Sequence, residues 1–229
     1  MTINSELNIP EISAEAGVTT QEYVYQRLRN AIMLGAIEPG TSLTIRGVAD
    51  RMGLSPTPVR EAVRRLSSEL AIQVNDNRRM TVPLMTPERF EELVALRVTV
   101  ETHAAVRALP YMADITIDKL IELDSQMDVF IYEEDLDQLT LVNQDFHRTL
   151  YNVNPAQASM PIIESLWLQL GPFQRQVLTR VSEDYKVDRH KEILAALGTR
   201  DATALHDAIT NDIMDGALKS GRLLFELTE

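Results

Sequence analysis

The stretch Leu43-Thr44-Ile45-Arg46-Gly47-Val48-Ala49-Asp50-Arg51-Met52-Gly53-Leu54-Ser55-Pro56-Thr57-Pro58-Val59-Arg60-Glu61-Ala62-Val63-Arg64-Arg65-Leu66 reads as a short helix, a tight turn and a second helix. Small Ala49 lets the two helices approach closely. Gly53 permits the positive φ that a sharp inter-helix turn needs. Val59 is placed to pack back into the helix angle, and the second helix carries Arg60, Arg64 and Arg65. A compact helix pair with cations on its second member suits a DNA major groove.

Upstream, Thr20 reads as an N-cap for a helix to about Leu34, with Val24, Leu28, Ala31 and Ile32 at helical spacing. Gly35 ends it and Glu38-Pro39-Gly40 makes a turn. Downstream, Ile72-Gln73-Val74 and Thr81-Val82 flank the polar, basic tip Asn75-Asp76-Asn77-Arg78-Arg79, which predicts a small hairpin, or wing. Residues 1–19 read as a loosely attached, flexible tail. Thr86-Pro87-Glu88 has the cap, N1 proline and first-turn acid of a helix start. From there the breaks predict helices over roughly 87–108, 116–131, 135–152, 160–180, 184–198 and 201–225, with a kink at Gly171-Pro172 and no strand. The expected fold is mainly α: a winged helix-turn-helix domain over 20–84, then an all-helical antiparallel bundle over 85–229 that serves effector binding and dimerisation.

The net charge of −12 over 229 residues looks wrong for a nucleic-acid binder until it is divided along the chain. Residues 21–85 hold nine arginines against six acids, whereas residues 86–229 hold 25 acids against 13 bases. A local basic patch, not the global balance, is what phosphate contacts require. The chain has no cysteine, which excludes disulfides, thiolate metal sites and a cysteine nucleophile. The N-terminus lacks the basic and apolar regions of a secretory signal, and no apolar run approaches a membrane span. The expected location is the bacterial cytoplasm, at the nucleoid when DNA is bound.

These residues carry a family resemblance. Val24…Leu28-Arg29…Ile32…Gly35…Pro39-Gly40, Val48-Ala49…Gly53 and Ser55-Pro56-Thr57-Pro58-Val59-Arg60-Glu61-Ala62-Val63-Arg64-Arg65-Leu66 resemble the winged helix-turn-helix of the GntR family of bacterial transcription regulators. Leu96-Arg97…Glu101…Ala104-Ala105, Asn143…Phe146-His147…Leu150-Tyr151 and His190-Lys191-Glu192-Ile193-Leu194 resemble the FCD effector domain of its FadR-like subfamily. The resemblance implies DNA contacts at Arg46, Ser55, Thr57, Arg60 and the wing tip, where Asn77, Arg78 and Arg79 stand; Arg64 is a further candidate, as either a contact or a surface residue. Two positions depart from the family pattern: Pro56 stands where an arginine is usual, and Arg79 where the wing usually has glycine.

The second half has an oddity legible without any family. Leu93, Leu96, Val100 and Ala104 form a helical stripe that includes Arg97. Leu136, Leu139, Phe146 and Leu150 form another, holding Asn143 and His147. Ile193, Leu194 and Leu197 follow His190, and Leu205, Ala208, Ile209 and Ile213 flank Asp212. Buried polar groups cost free energy unless partnered, so four such stripes point to one shared polar cavity. By the resemblance, Asn143, His147, His190 and Asp212 stand at the ligand positions of a divalent metal, with Asn replacing the usual Asp and Asp replacing the last His. The set suits Zn, Ni, Mn or Fe; the alternatives are internally satisfied core residues, or an Asp212 that accepts hydrogen bonds from an organic ligand. Arg97 either clamps the carboxylate of a small organic-acid effector or is satisfied by Glu101 one turn away. His103 and His206 read as surface residues.

The sequence therefore points to a ligand-responsive transcription regulator, more specifically a repressor, that binds an inverted-repeat operator as a homodimer and is not an enzyme. The other readings are a metal-responsive regulator and a metal-dependent helical-bundle enzyme using His147, His190 and Asp212; no nucleophile motif or phosphate loop accompanies the latter.

Overall fold

The computed structural model describes residues 8–13, 17–75, 79–180 and 189–226. They form two compact units, one of Met1–Thr86 with Trp167–Gln176, the other of Pro87–Leu166 with Val177–Glu229.

The first unit is built on three helices. Thr19, not Thr20, caps α1 (Thr20–Met33), its Oγ1 accepting from the Glu22 amide at 3.2 Å. The stripe Val24, Leu28, Ala31 and Ile32 is fully buried. Thr44 caps α2 (Ile45–Met52) by accepting from the Gly47 amide at 3.0 Å. Gly53 closes that helix at φ 66°, the left-handed value the turn demands. Pro56 then starts α3 (Pro56–Ser68) at a position where a missing N–H costs nothing. Ala49, Val59, Ala62 and Leu66 are buried, and α3 packs on both α1 and α2.

The wing differs in register from the sequence expectation. Gln73–Val74 (β2) pairs with Met80–Thr81 (β3), while Ile72 and Val82 leave the ladder and point into the core. A third strand, Ser42–Leu43 (β1), pairs along the other edge of β3, so β3 is central. Two residues joining a turn to a helix cap have no alternation to betray them. Within the tail, Ile9 is 4% exposed, and Arg27 donates through Nη2 to Ile9 O at 2.9 Å and through Nε to Pro10 O at 3.0 Å.

The second unit is helical throughout its described residues: α4 (Pro87–Ala108), α5 (Asp114–Glu133), α6 (Leu136–Tyr151), α7 (Met160–Arg180, whose middle groups with the first unit), α8 (His190–Thr199), α9 (Ala202–Ile213) and α10 (Ser220–Glu226). The start expected for α8 at residues 184–188 lies outside the described residues. The expected single last helix is instead interrupted by a π-helical turn over Met214–Lys219, which separates α9 from α10. α4 packs on α6 and α9, α5 on α6 and α8, and α8 on α9. The stripes therefore face one interior, with one correction: Leu96 is exposed, and α4 turns Phe90, Leu93, Val94, Glu101, Ala104 and Ala105 inward instead.

Candidate functional site

The first unit presents an exposed polar surface on its helix pair. Arg46, at the start of α2, and Ser55, Thr57 and Arg60, at the start of α3, are all exposed. Ser55 occupies the N-cap of α3, yet its side chain makes no capping bond, leaving the hydroxyl for another partner. Among the described residues Arg46 and Arg60 have no ion-pair partner, whereas Arg64 Nη2 meets Glu61 Oε2 at 2.8 Å. Arg65 is committed elsewhere: it reaches Glu22 at 2.9 Å and Glu69 at 3.4 Å and stacks on Tyr25. Arg79 is exposed beside the wing tip, where Asn75 N donates to Arg79 O at 2.8 Å. Asn77 and Arg78 lie outside the described residues.

The interior of the second unit holds a connected polar chain. It begins at Arg97 on α4, whose Nε donates to Glu101 Oε1 at 2.6 Å. Glu101 has no solvent exposure, and its other oxygen accepts from the Tyr151 hydroxyl at 3.1 Å. That hydroxyl also lies 3.1 Å from His147 Nδ1. The far nitrogen, His147 Nε2, faces Asp212 Oδ2 at 3.3 Å. Asp212 Oδ1 is 3.9 Å from His190 Nε2, and His190 Nδ1 is 3.6 Å from Asp124 Oδ1 on α5. Asn143 presents its amide nitrogen to His190 Nε2 at 3.2 Å. Phe146 packs against both imidazoles, with ring centres 4.6 Å from His190 and 5.4 Å from His147.

Local sequence explains the placement. Arg97 and Glu101, and likewise Asn143, His147 and Tyr151, are spaced by one helical turn, so each set shares a face. His190 is the first residue of α8, and Asp212 the next to last of α9. Arg189 braces these two ends by donating to Asp215 Oδ2 from Nε at 3.0 Å and Nη2 at 2.6 Å.

The electrostatics follow from the pairing. Burial opposes the charge on Arg97, but the charge and hydrogen bond of Glu101 outweigh it and raise its pKa. Burial and the charges of Glu101 and Asp212 raise the Tyr151 pKa well above its ordinary value, so the phenol keeps its proton. Burial would raise the Asp212 pKa, yet the His147 hydrogen bond and the charges of His147, His190 and Arg97 lower it. His147, His190 and Asp212 each offer a ligand atom, and the three atoms lie within 4.8 Å of one another. Two imidazoles and a carboxylate are a donor set for a divalent transition metal.

All five effector candidates of the second half, Arg97, Asn143, His147, His190 and Asp212, fall on this chain. Three participants went unread as such: Tyr151, Asp124 and, except as a partner for Arg97, Glu101. Asp124 carries the same signal as the others, an acid on the stripe of Leu120 and Met127. His103 and His206 are exposed, apart from the chain.

Residues 20–82 match the family of bacterial regulatory proteins called the gntR family, and residues 92–214, more than half of the sequence, match the FCD domain. The chain is a GntR-family regulator with an FCD domain. Like its family it is a DNA-binding transcription regulator carrying an effector-binding domain, not an enzyme. The transcriptional regulator McbR of Escherichia coli K12 is 27% identical over 177 residues, 76% of this chain and 80% of that protein. The transcriptional repressor RspR of the same strain is 25% identical over 216 residues, 94% of this chain and 92% of its own. The gluconate operon transcriptional repressor of Bacillus subtilis is 25% identical over 202 residues, covering 84% and 81%. The solved structure of E. coli McbR/YncC superposes with a TM-score of 0.82 at 25% identity, over 93% of this chain and all of that one. Among the described residues no helix of this GntR regulator is long and apolar enough to cross a membrane.

Proposed function

We propose that this regulator is a cytoplasmic homodimeric repressor whose FCD bundle, residues 85–229, binds a divalent metal and a small organic acid, and whose operator affinity falls when the acid binds. Residues 20–84 are assigned to DNA, with Arg46, Ser55, Thr57, Arg60, Arg64 and the wing residues Asn77, Arg78 and Arg79 as the contacts to an inverted repeat. Arg46 and Arg60 lead this set because no other described group neutralises them.

The observation that carries the effector reading is a count of protons. The series Glu101, Tyr151, His147, Asp212 has three gaps, of 3.1, 3.1 and 3.3 Å. Each gap needs one hydrogen between two acceptors. A neutral phenol and a neutral imidazole supply two. The third gap, between His147 and Asp212, takes a further positive species, either a second ring proton on His147 or a metal ion. It is also where His190 Nε2 converges. A divalent metal such as Zn, Ni, Mn or Fe fits there, held by His147, His190 and Asp212, with Asn143 adjacent and able to turn its amide oxygen inward. Bound in that position, the cation supplies positive charge for a carboxylate oxygen of the effector.

Arg97 supplies the second half of the acid's recognition. Only its Nε is bonded to Glu101, and the side chain keeps 13% exposure, so the outer N–H fork is available for bidentate pairing. The name of the B. subtilis relative, a gluconate operon repressor, supports a sugar acid or hydroxy acid as the class. Effector binding acts by differential affinity for two arrangements of the dimer. A thermal-shift screen of small carboxylic acids, with and without added divalent metals, tests the reading. Stabilisation by an acid that grows with metal present is expected; no response to any acid, with or without metal, would overturn it.

A further inference from the structure

Two buried groups have no assignment in this reading. Tyr151 lies fully inside the bundle, its hydroxyl between Glu101 and His147. Asp124 is buried on α5, on the side of His190 away from Asp212.

Each meets the Nδ1 of one histidine. Tyr151 has a single proton, and Glu101 is a carboxylate that can only accept. When that proton goes to Glu101, the phenol oxygen can only accept from His147 Nδ1–H. A neutral His147 then turns an unprotonated Nε2 towards Asp212. At His190 the Asn143 amide nitrogen can only donate, so at 3.2 Å from Nε2 it leaves the ring proton on Nδ1, the side on which Asp124 Oδ1 of a different helix lies at 3.6 Å. Both rings thus have an oxygen on the Nδ1 side and turn Nε2 towards Asp212, with the Asn143 amide also at His190 Nε2.

We propose that Tyr151 and Asp124 are positioning residues that fix the tautomer of His147 and His190, so that both bind metal through Nε2. The inference rests on the metal reading above. Tyr151 acts with Glu101 and Arg97 behind it, so the clamp for the effector's carboxylate and the proton that orients a metal ligand belong to one hydrogen-bonded chain, Arg97–Glu101–Tyr151–His147. Partners of this kind behind a ligating histidine typically change metal affinity by about 10–100-fold when removed.

The test uses the full chain, Zn2+ as the probe, titration calorimetry for affinity and nitrogen-15 spectra of the histidine rings for the tautomer. In the wild type loaded with Zn2+, both rings are expected to show metal on Nε2 and a proton on Nδ1. Tyr151→Phe removes one hydroxyl and keeps the buried ring; Asp124→Asn keeps size and shape. Each is expected to weaken Zn2+ by about tenfold or more and to change the ring signature of its own histidine, leaving the other ring unchanged. Coordination through Nδ1, or variants that fold and bind Zn2+ within twofold of wild type, would overturn the assignment. If the wild type takes up no Zn2+, the metal reading fails separately. The metal-free spectra at a pH where the rings are neutral then decide: protons on Nδ1 sustain the positioning role, and protons on Nε2 overturn it.

Discussion

The guanidinium carbon of Arg65 lies 3.5 Å from the centre of the Tyr25 ring, and the Tyr25 hydroxyl donates to Glu69 at 2.8 Å. Of the three cations on α3, this one is thereby turned back onto α1. Arg60, four residues earlier than Arg64 and exposed, is not. Arg65→Ala is therefore expected to lower stability by about 1–2 kcal/mol through lost stacking and pairing. Arg60→Ala should leave the melting temperature unchanged and weaken operator binding by about 1–3 kcal/mol. Melting curves and salt titrations of operator affinity on both variants check the contrast; equal effects on both readouts would refute it.

The same contact sets an alkaline limit. Burial first, then the hydrogen bond and charge of Glu69, push the Tyr25 pKa up to about 12 from 10.0. A group whose folded pKa is raised contributes stability that is complete below its unfolded value and lost as pH climbs towards the folded value. Unfolding titrations should show stability falling between about pH 10 and pH 12 from this group, and Tyr25→Phe should flatten that limb.

Leu70 follows α3 with φ 61°, a left-handed conformation, while its side chain is 58% exposed. An L-residue there costs on the order of 1 kcal/mol, and glycine does not. Leu70→Gly is expected to stabilise the protein by about 0.5–1 kcal/mol, since little packing is lost. Denaturant unfolding of the variant measures it, and a loss of stability would show that the exposed leucine packs on something.

Arg97→Ala is the wrong way to test the effector clamp. It would leave Glu101, with no solvent exposure, facing no cation, at a cost of about 3–5 kcal/mol for a broken buried pair. Arg97→Lys keeps the charge beside Glu101 and removes the fork. Operator binding is expected to persist while affinity for the organic acid falls about tenfold or more, the worth of a bidentate pair over a single contact. Calorimetry with the acid found by thermal shift reads it out.

What could be read from the residues depended on periodicity. The helix pair, α1 and the bundle helices carry repeats of 3.6 and were legible to within a few residues. β1 was invisible because two residues cannot show a period. The π-helical turn after Asp212 escaped because Ile213, Ala217 and Leu224 still fit one apolar stripe when drawn as an ordinary helix. Arg97, Asn143, His147, His190 and Asp212 were legible as polar residues on apolar stripes. Tyr151 was not, since a phenol on such a stripe offends no rule of burial.

Arg27 has a practical consequence for handling the protein. Its guanidinium is held by the backbone carbonyls of Ile9 and Pro10, with Glu11 Oε1 3.9 Å from Nη2. Trimming the gene to begin at the first helix would delete both acceptors and strand a buried cation inside the DNA-binding unit. Expression designs should keep at least residue 8, and a purification tag belongs upstream of that point.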